Sequence, residues 1–203
     1  MKTNRFLLAV GILFAMAFIF GCSSDDDSKP DSSGSCNIQD YRTVPIGNQI
    51  WMAENFNCDV EGSKCYDNLK SNCDKYGRLY DWSTSLTVCP SGWRLPGDAD
   101  WEELMEAVGG EATAGARLKT TSGWNFNSNG TDDYGFSGKP GGNGEQDGGF
   151  STMGFHGQWW SLDVYEHDDI HAYSFLLHYA GDNALSTITK KANLYSVRCV
   201  QEM

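Results

Sequence analysis

Between Asp98 and Val108, Trp101, Leu104, Met105 and Val108 recur at i, i+3, i+4 and i+7, the spacing of one helix face. Gly97 or Asp98 can cap this helix, and Asp98, Asp100, Glu102 and Glu103 put negative charge near the positive end of its dipole. Gly109-Gly110 ends it. Shorter helical stretches are predicted over Tyr80–Leu86 and Thr113–Lys119. Upstream, Tyr41–Ile46 and Gln49–Met52 are β-prone runs joined by Gly47-Asn48, a pair suited to positive φ, so Tyr41–Ala53 reads as a hairpin. Pro45 lacks an N–H and places its strand at a sheet edge. Asn57–Lys75 is polar and cysteine-rich and reads as a stapled loop. Residues 130–157 hold ten glycines with Phe136, Phe150 and Phe155 among them, the pattern of a long loop pinned by aromatic side chains. Strand-like runs follow at Gln158–Leu162, Ala172–Tyr179, Leu185–Thr189 and Leu194–Gln201. Strands at both ends with helices between them make an α+β domain.

Composition narrows the partners. The 203 residues are 40% hydrophobic and 13% aromatic, enough for one sizeable core. The net charge is −12. A surface that negative repels phosphate backbones and argues against nucleic acid as a partner.

The first 21 residues read as an export signal. Lys2 and Arg5 precede Phe6–Phe20, an uncharged run of 15 residues that is short for a membrane span. Gly21-Cys22 resembles the end of a bacterial lipoprotein signal, in which the cysteine is acylated and becomes the new N-terminus. Removing residues 1–21 leaves 13 basic against 27 acidic residues. Residues 22–35, with Asp25-Asp26-Asp27 and several serines, hold no large apolar side chain and read as a solvated tether. Each buried acyl methylene contributes about 0.8 kcal/mol, so two or three chains anchor the protein durably. The acidic stretch after Cys22 resembles a surface-export signal of Bacteroides-group lipoproteins. The expected location is the outer membrane, at the cell surface, with the periplasmic face as the alternative.

Residues 36–203 form the domain and contain Cys36, Cys58, Cys65, Cys73, Cys89 and Cys199. An even number in an exported chain points to disulfides, although six cysteines allow 15 connectivities. Cys65 and Cys73 flank a short polar loop and suit closing it. Cys89 with Cys199 would tie the middle of the domain to its last strand, leaving Cys36 with Cys58.

Several segments together resemble a known family. They are Thr43–Phe56, Tyr76–Trp82, Cys89–Pro96, Asp100-Trp101, Leu118-Lys119, Gly123–Asn125, Tyr134–Ser137, Pro140–Gly142, Trp159–Ser161 and Ser196–Val200. In this order they resemble the Fibrobacter succinogenes major paralogous domain, found in bacterial extracellular lipoproteins. The resemblance implies surface binding rather than catalysis. Gly92–Pro96 with the Trp101 helix, and Val197–Val200, are also distantly similar to the formylglycine-generating enzymes and their C-type lectin-like architecture. That similarity implies chain ends lying side by side and long loops on a compact mixed core. The enzymes use a reactive cysteine pair in a C-terminal segment, whereas Ser161–Arg198 here contains no cysteine.

Candidate chemistry is sparse. His167 and His171, four apart with Asp168 and Asp169 between them, could share a helix face as metal ligands, or form a solvated turn. Asp132, Asp133, Glu145 and Asp147 could offer oxygens to calcium, the one cofactor the sequence leaves open, though without an EF-hand spacing. Of the tryptophans, Trp159 and Trp160 are adjacent, so on a strand one faces the core and the other is available to stack on a sugar, joined by Tyr165 and Tyr173. The expected function is a lipid-anchored, non-catalytic module gripping an extracellular glycan or protein. The alternatives are an enzyme on the same scaffold, calcium-dependent or otherwise, or a structural part of a surface assembly. An enzyme would gather histidines and carboxylates in one deep cleft.

Overall fold

A computed structural model of the chain describes residues 36–202. The export signal, Cys22 and the tether lie outside the described residues. The hairpin forms as the turn residues dictate: β1 (Thr43–Ile46) pairs antiparallel with β2 (Gln49–Met52) across Gly47, at φ 60°. Its Pro45 lies on β1, an edge strand. The polar segment that follows is less irregular than its composition suggests. It contains β3 (Ser63–Lys64) and the helix α1 (Lys70–Tyr76), whose buried Cys73 and Tyr76 are too few to show a period in the sequence. β4 (Leu79–Tyr80) takes the start of the expected 80–86 helix, and α2 (Trp82–Ser85) is a single turn capped by Asp81, which accepts from the Thr84 amide at 2.8 Å.

After β5 (Trp93–Arg94) comes α3 (Asp98–Ala107), with Trp101 and Leu104 buried as the periodicity requires. Asp100 accepts from the Gly97 amide at 2.7 Å, closing the first turn. α4 (Glu111–Leu118) begins two residues before the expected stretch. The glycine-rich loop carries one small hairpin, β6 (Asn143–Gly144) with β7 (Phe150–Ser151).

The long strands are β8 (His156–Val164), β9 (His171–His178) and β10 (Ala184–Lys190), an antiparallel meander. The last expected strand is broken in two. β11 (Tyr195–Ser196) and β12 (Val200–Gln201) belong to different sheets, and Val197–Cys199 crosses between them with Arg198 fully buried. One sheet has the order β1-β2-β12-β5, the other β10-β9-β8-β11-β4-β3. Val200 pairs with Trp51, so the end of the domain lies beside its opening hairpin. The architecture is mixed α+β.

Two hydrophobic clusters fill the domain. One gathers Trp51, Trp101, Leu104, Phe136, Trp159 and Phe175 among others; the second centres on Phe56, Tyr80, Trp160 and Val197. Trp101 stacks on Phe175 with ring centroids 4.4 Å apart. Where the clusters meet, Arg198 donates to the Met52 carbonyl at 3.1 Å, and also to the Phe136 carbonyl and Asn55 Oδ1. Its guanidinium lies 4.3 Å from the Phe136 ring. Burial pulls its pKa down to about 9, so the cation persists at neutral pH.

Three disulfides hold the scaffold. Cys36–Cys58 and Cys65–Cys73 each have Cα atoms 4.9 Å apart, and Cys89–Cys199 spans 5.9 Å across a sequence separation of 110. All six cysteines of the domain are therefore spent on cross-links, in the pairing that the loop and strand positions suggested.

Candidate ligand-binding surface

The tandem tryptophans form no platform. Trp159 and Trp160 are both fully buried, correcting the expectation that one would be exposed. β8 is an inner strand of its sheet with apolar side chains packed on both faces, so alternation sends Trp159 into one cluster and Trp160 into the other. Their indoles are satisfied inside: Trp159 donates to Asn55 Oδ1 at 2.8 Å and Trp160 to the Tyr80 carbonyl at 2.7 Å.

The two tyrosines do converge. β8 bulges between Trp160 and Val164 before turning into β9, and this brings Tyr165 and Tyr173 edge to face at 6.0 Å. Tyr165 also meets the His167 ring at 5.0 Å. Ile188 is paired in register with Tyr173 and remains 48% exposed. His167 lies in this turn and His171 opens β9, so the two do not share a helix face. His171 Nδ1 sits 2.8 Å from Asp168 Oδ2, and this bond, with the amides of Ile170 and His171, holds the Asp168 carboxyl below its usual range.

Next to the tyrosines, across the β9–β10 pairing, lies a broad concavity of about 910 Å³, lined by Glu145, Asp147, His171, Ile188, Lys190 and Asn193 with Gln146 and Thr189. The glycine-rich loop thus delivers two of its acidic residues to the β9 and β10 strands. Glu145 Oε1 already accepts from Asn143 Nδ2 at 2.7 Å and from the Ser151 hydroxyl at 2.9 Å, while Asp147 Oδ1 accepts from the Gly149 amide at 3.0 Å. Asp132 and Asp133 do not line it. Asp132 accepts instead from the Ser137 amide and hydroxyl at 2.7 and 2.8 Å, and Asp133 is exposed. Among the described residues, no group of three or more His, Cys, Asp or Glu is placed to hold a metal ion.

The four histidines fall into two sets at opposite ends of the β8–β9 pair. His156 faces His178 directly, with centroids 4.8 Å apart, and burial followed by the nearness of His178 lowers the His156 pKa.

One exposed aromatic escaped the sequence reading altogether. Phe126 is 78% exposed, within the polar run Asn125–Asn129, and adopts φ 56°. Such a backbone is rare for a bulky residue. The signal available in the sequence was an aromatic isolated among asparagine and serine.

No curated protein and no solved structure matches the chain. The Fibrobacter succinogenes major domain matches residues 44–201, a span that runs from β1 to β12 and takes in the tyrosine pair and the concavity beside it. The chain belongs to the Fibrobacter succinogenes major domain family.

Proposed function

We propose that this protein is a non-catalytic binding module, lipid-anchored through Cys22 in the outer membrane and displayed at the cell surface, that grips an extracellular glycan. The observation that carries this reading is the concavity beside Tyr165 and Tyr173. It combines fixed acceptors from Glu145 and Asp147, a cation at Lys190 and the Asn193 amide, and its Ile188 wall is paired in register with the half-buried Tyr173 on the neighbouring strand. Small-ligand sites pair a few placed polar groups with aromatic surface in this way. Sugars need both, because a pyranose has an apolar C–H face and a rim of hydroxyls. Cross-linking of all six domain cysteines supports gripping over thiol chemistry, which needs a free thiolate.

The similarity to the C-type lectin-like and formylglycine-generating architectures belongs to the same proposal. It is supported by the pairing of β12 with β2 and by long loops carried on a compact core.

The test uses intact cells and the purified full chain. Protease shaving of intact cells should remove the domain, and a glycan array should give binding that Tyr173→Ala and Glu145→Gln weaken. A domain protected from protease on intact cells, or binding unaffected by both substitutions, refutes the assignment.

A further inference from the structure

The turn around Phe126 is built outward from a buried anchor. Trp124 is 4% exposed, and its indole donates to Thr120 Oγ1 and to the Gly138 carbonyl, both at 3.2 Å. The Trp124 amide donates to Asn129 Oδ1 at 3.1 Å, and the Asn125 amide to the Gly154 carbonyl at 2.9 Å. Past these two adjacent points, and before Asn129 closes the turn, the chain passes through positive φ at Phe126 and Asn127, 56° and 57°. A bulky residue there costs of order 1–3 kcal/mol, and such strain concentrates at functional positions. The consequence is an aromatic ring carried outward where an ordinary turn would carry a polar side chain.

Phe126 is not alone. Its ring lies 5.7 Å from Tyr179 and 6.1 Å from Phe155, and Tyr179 meets Phe155 edge-on at 5.1 Å. Tyr179 is also a wall of a concavity of about 390 Å³, with Asn127, Asn129 and Asp182 around it. That volume falls in the range of small-ligand clefts, about 300–1,000 Å³.

Lys119 also lines this concavity, although the residue is only 2% exposed. Its ammonium donates to the Gly181 carbonyl at 3.0 Å and the His178 carbonyl at 3.4 Å, over the Trp124 ring at 5.2 Å. An ammonium has three N–H donors, so two carbonyls leave one unspent. Asp182, exposed and also lining the concavity, supplies an acceptor. A donor and an acceptor facing one small space suit hydroxyl groups, which accept and donate at once.

We infer that Phe126 and Tyr179, with Lys119, Asn127 and Asp182, form a separate sugar-binding site that takes a neutral pyranose unit of a polysaccharide. The sugar's C–H face lies on the Phe126 ring, and its hydroxyls accept from Lys119 and donate to Asp182. Lys119 and Asp182 balance in charge, and the chain as a whole carries −12, so a neutral sugar is favoured over a uronate or a sulfated unit. The site shares no residue with the Tyr165–Tyr173 concavity, so it goes beyond the function proposed above and fails or survives separately from it.

The test is affinity electrophoresis of the full chain in non-ionic detergent, through gels containing xyloglucan, galactomannan, mixed-linkage β-glucan or polygalacturonate. At least one neutral polysaccharide should retard the wild type. Phe126→Ala should weaken that interaction about tenfold, the size expected for losing one aromatic stacking partner. Phe126→Trp should restore it, and Asp182→Asn should weaken it with the aromatic face intact. Phe126 is exposed, so its replacement leaves the core whole, and near-ultraviolet circular dichroism verifies this. Equal retardation of wild type and Phe126→Ala overturns the site, and if Tyr173→Ala then abolishes retardation, the function proposed above stands alone. Retardation by polygalacturonate only also overturns it. Retardation by none of the four overturns this site and leaves the function proposed above to the protease and glycan-array tests.

Discussion

Replacing Asn55 by alanine tests how the two clusters are joined. Asn55 is 5% exposed and makes four hydrogen bonds to four parts of the domain. Its Oδ1 accepts from the Trp159 indole at 2.8 Å and from Arg198, and its Nδ2 donates to the Tyr76 carbonyl at 2.8 Å and Ser196 Oγ at 3.3 Å. Alanine leaves the fully buried Arg198 short of a charge-assisted bond, about 1.5–3 kcal/mol, and orphans the Trp159 N–H, about 1–3 kcal/mol. The lost bonds to Tyr76 and Ser196 add less, since their partners can be partly satisfied by relaxation. A loss of about 3–5 kcal/mol is a large part of the roughly 5–15 kcal/mol that holds a domain together. For a domain of this size it lowers the melting temperature by about 10 °C. Asn55→Asp discriminates the cause. It keeps both acceptor contacts and places a carboxylate against the Arg198 cation, while its second oxygen replaces a donor to the Tyr76 carbonyl with a repelling acceptor, so it should fall between wild type and Asn55→Ala. The assay is urea unfolding with disulfides intact, followed by tryptophan fluorescence and far-ultraviolet circular dichroism. An Asn55→Ala variant within about 1 kcal/mol of wild type refutes the reasoning, as does an Asn55→Asp variant less stable than the alanine one.

Two further substitutions probe local features. Gly115 lies in α4, where glycine-to-alanine ordinarily adds up to about 1 kcal/mol. Here an alanine Cβ would meet the Asn183 carbonyl oxygen at 2.3 Å and that of Asp182 at 2.8 Å, so Gly115→Ala should destabilise by about 1–3 kcal/mol, read from the urea midpoint; a raised midpoint would contradict the packing described. For Asp100, burial pushes the carboxyl upward, but bonds from Arg94, the Gly97 amide and Gln49 outweigh it and hold the pKa below its usual value. A folded pKa lower than the unfolded one means stability present above about pH 4 and lost as pH falls through the folded value. Asp100→Asn should therefore cost about 1 kcal/mol at pH 7, discounted because the Arg94 side chain is 37% exposed, and the gap should close towards pH 2. A gap independent of pH would exclude the ionised pair as its source.

How much of this was legible in the chain follows from the range of the forces involved. The α3 face, the β1–β2 hairpin and the Pro45 edge are local consequences of spacing and turn chemistry, and they form where the pattern places them. The cysteine pairing was suggested by position alone, because a loop that ends in two cysteines and a late cysteine in the last strand leave one pair over. The split between β11 and β12 was hidden, since Leu194–Gln201 reads as one strand-like run. What breaks it is Arg198, whose partners Asn55, Met52 and Phe136 lie more than 60 residues away in sequence. The expectation that one of Trp159 and Trp160 is exposed fails for a related reason. Alternation along β8 says that neighbours face opposite ways, and only the packing on both faces of the sheet says that both sides are interior.

The surface divides along the same line. Tyr165 and Tyr173 were legible because they flank an acidic turn between two strand-like runs, and a hairpin necessarily brings such residues back together. Glu145 and Asp147 stood out as carboxylates in a glycine-rich segment, yet their meeting with His171 depends on how that loop folds against β10, which no spacing encodes. Phe126 was invisible for a more basic reason. Its exposure goes with backbone handedness: the Trp124 amide bonds to Asn129 and closes the turn, the Asn125 amide is held by the Gly154 carbonyl, and Phe126 and Asn127 inside the turn take positive φ. Hydrophobic patterning assumes that an aromatic side chain seeks the interior. It therefore assigns Phe126 to the core, and fails where the backbone takes positive φ and leaves the ring 78% exposed. A residue that violates both the burial rule and the backbone rule at one position is better explained by what it meets outside the chain than by anything it does for the core.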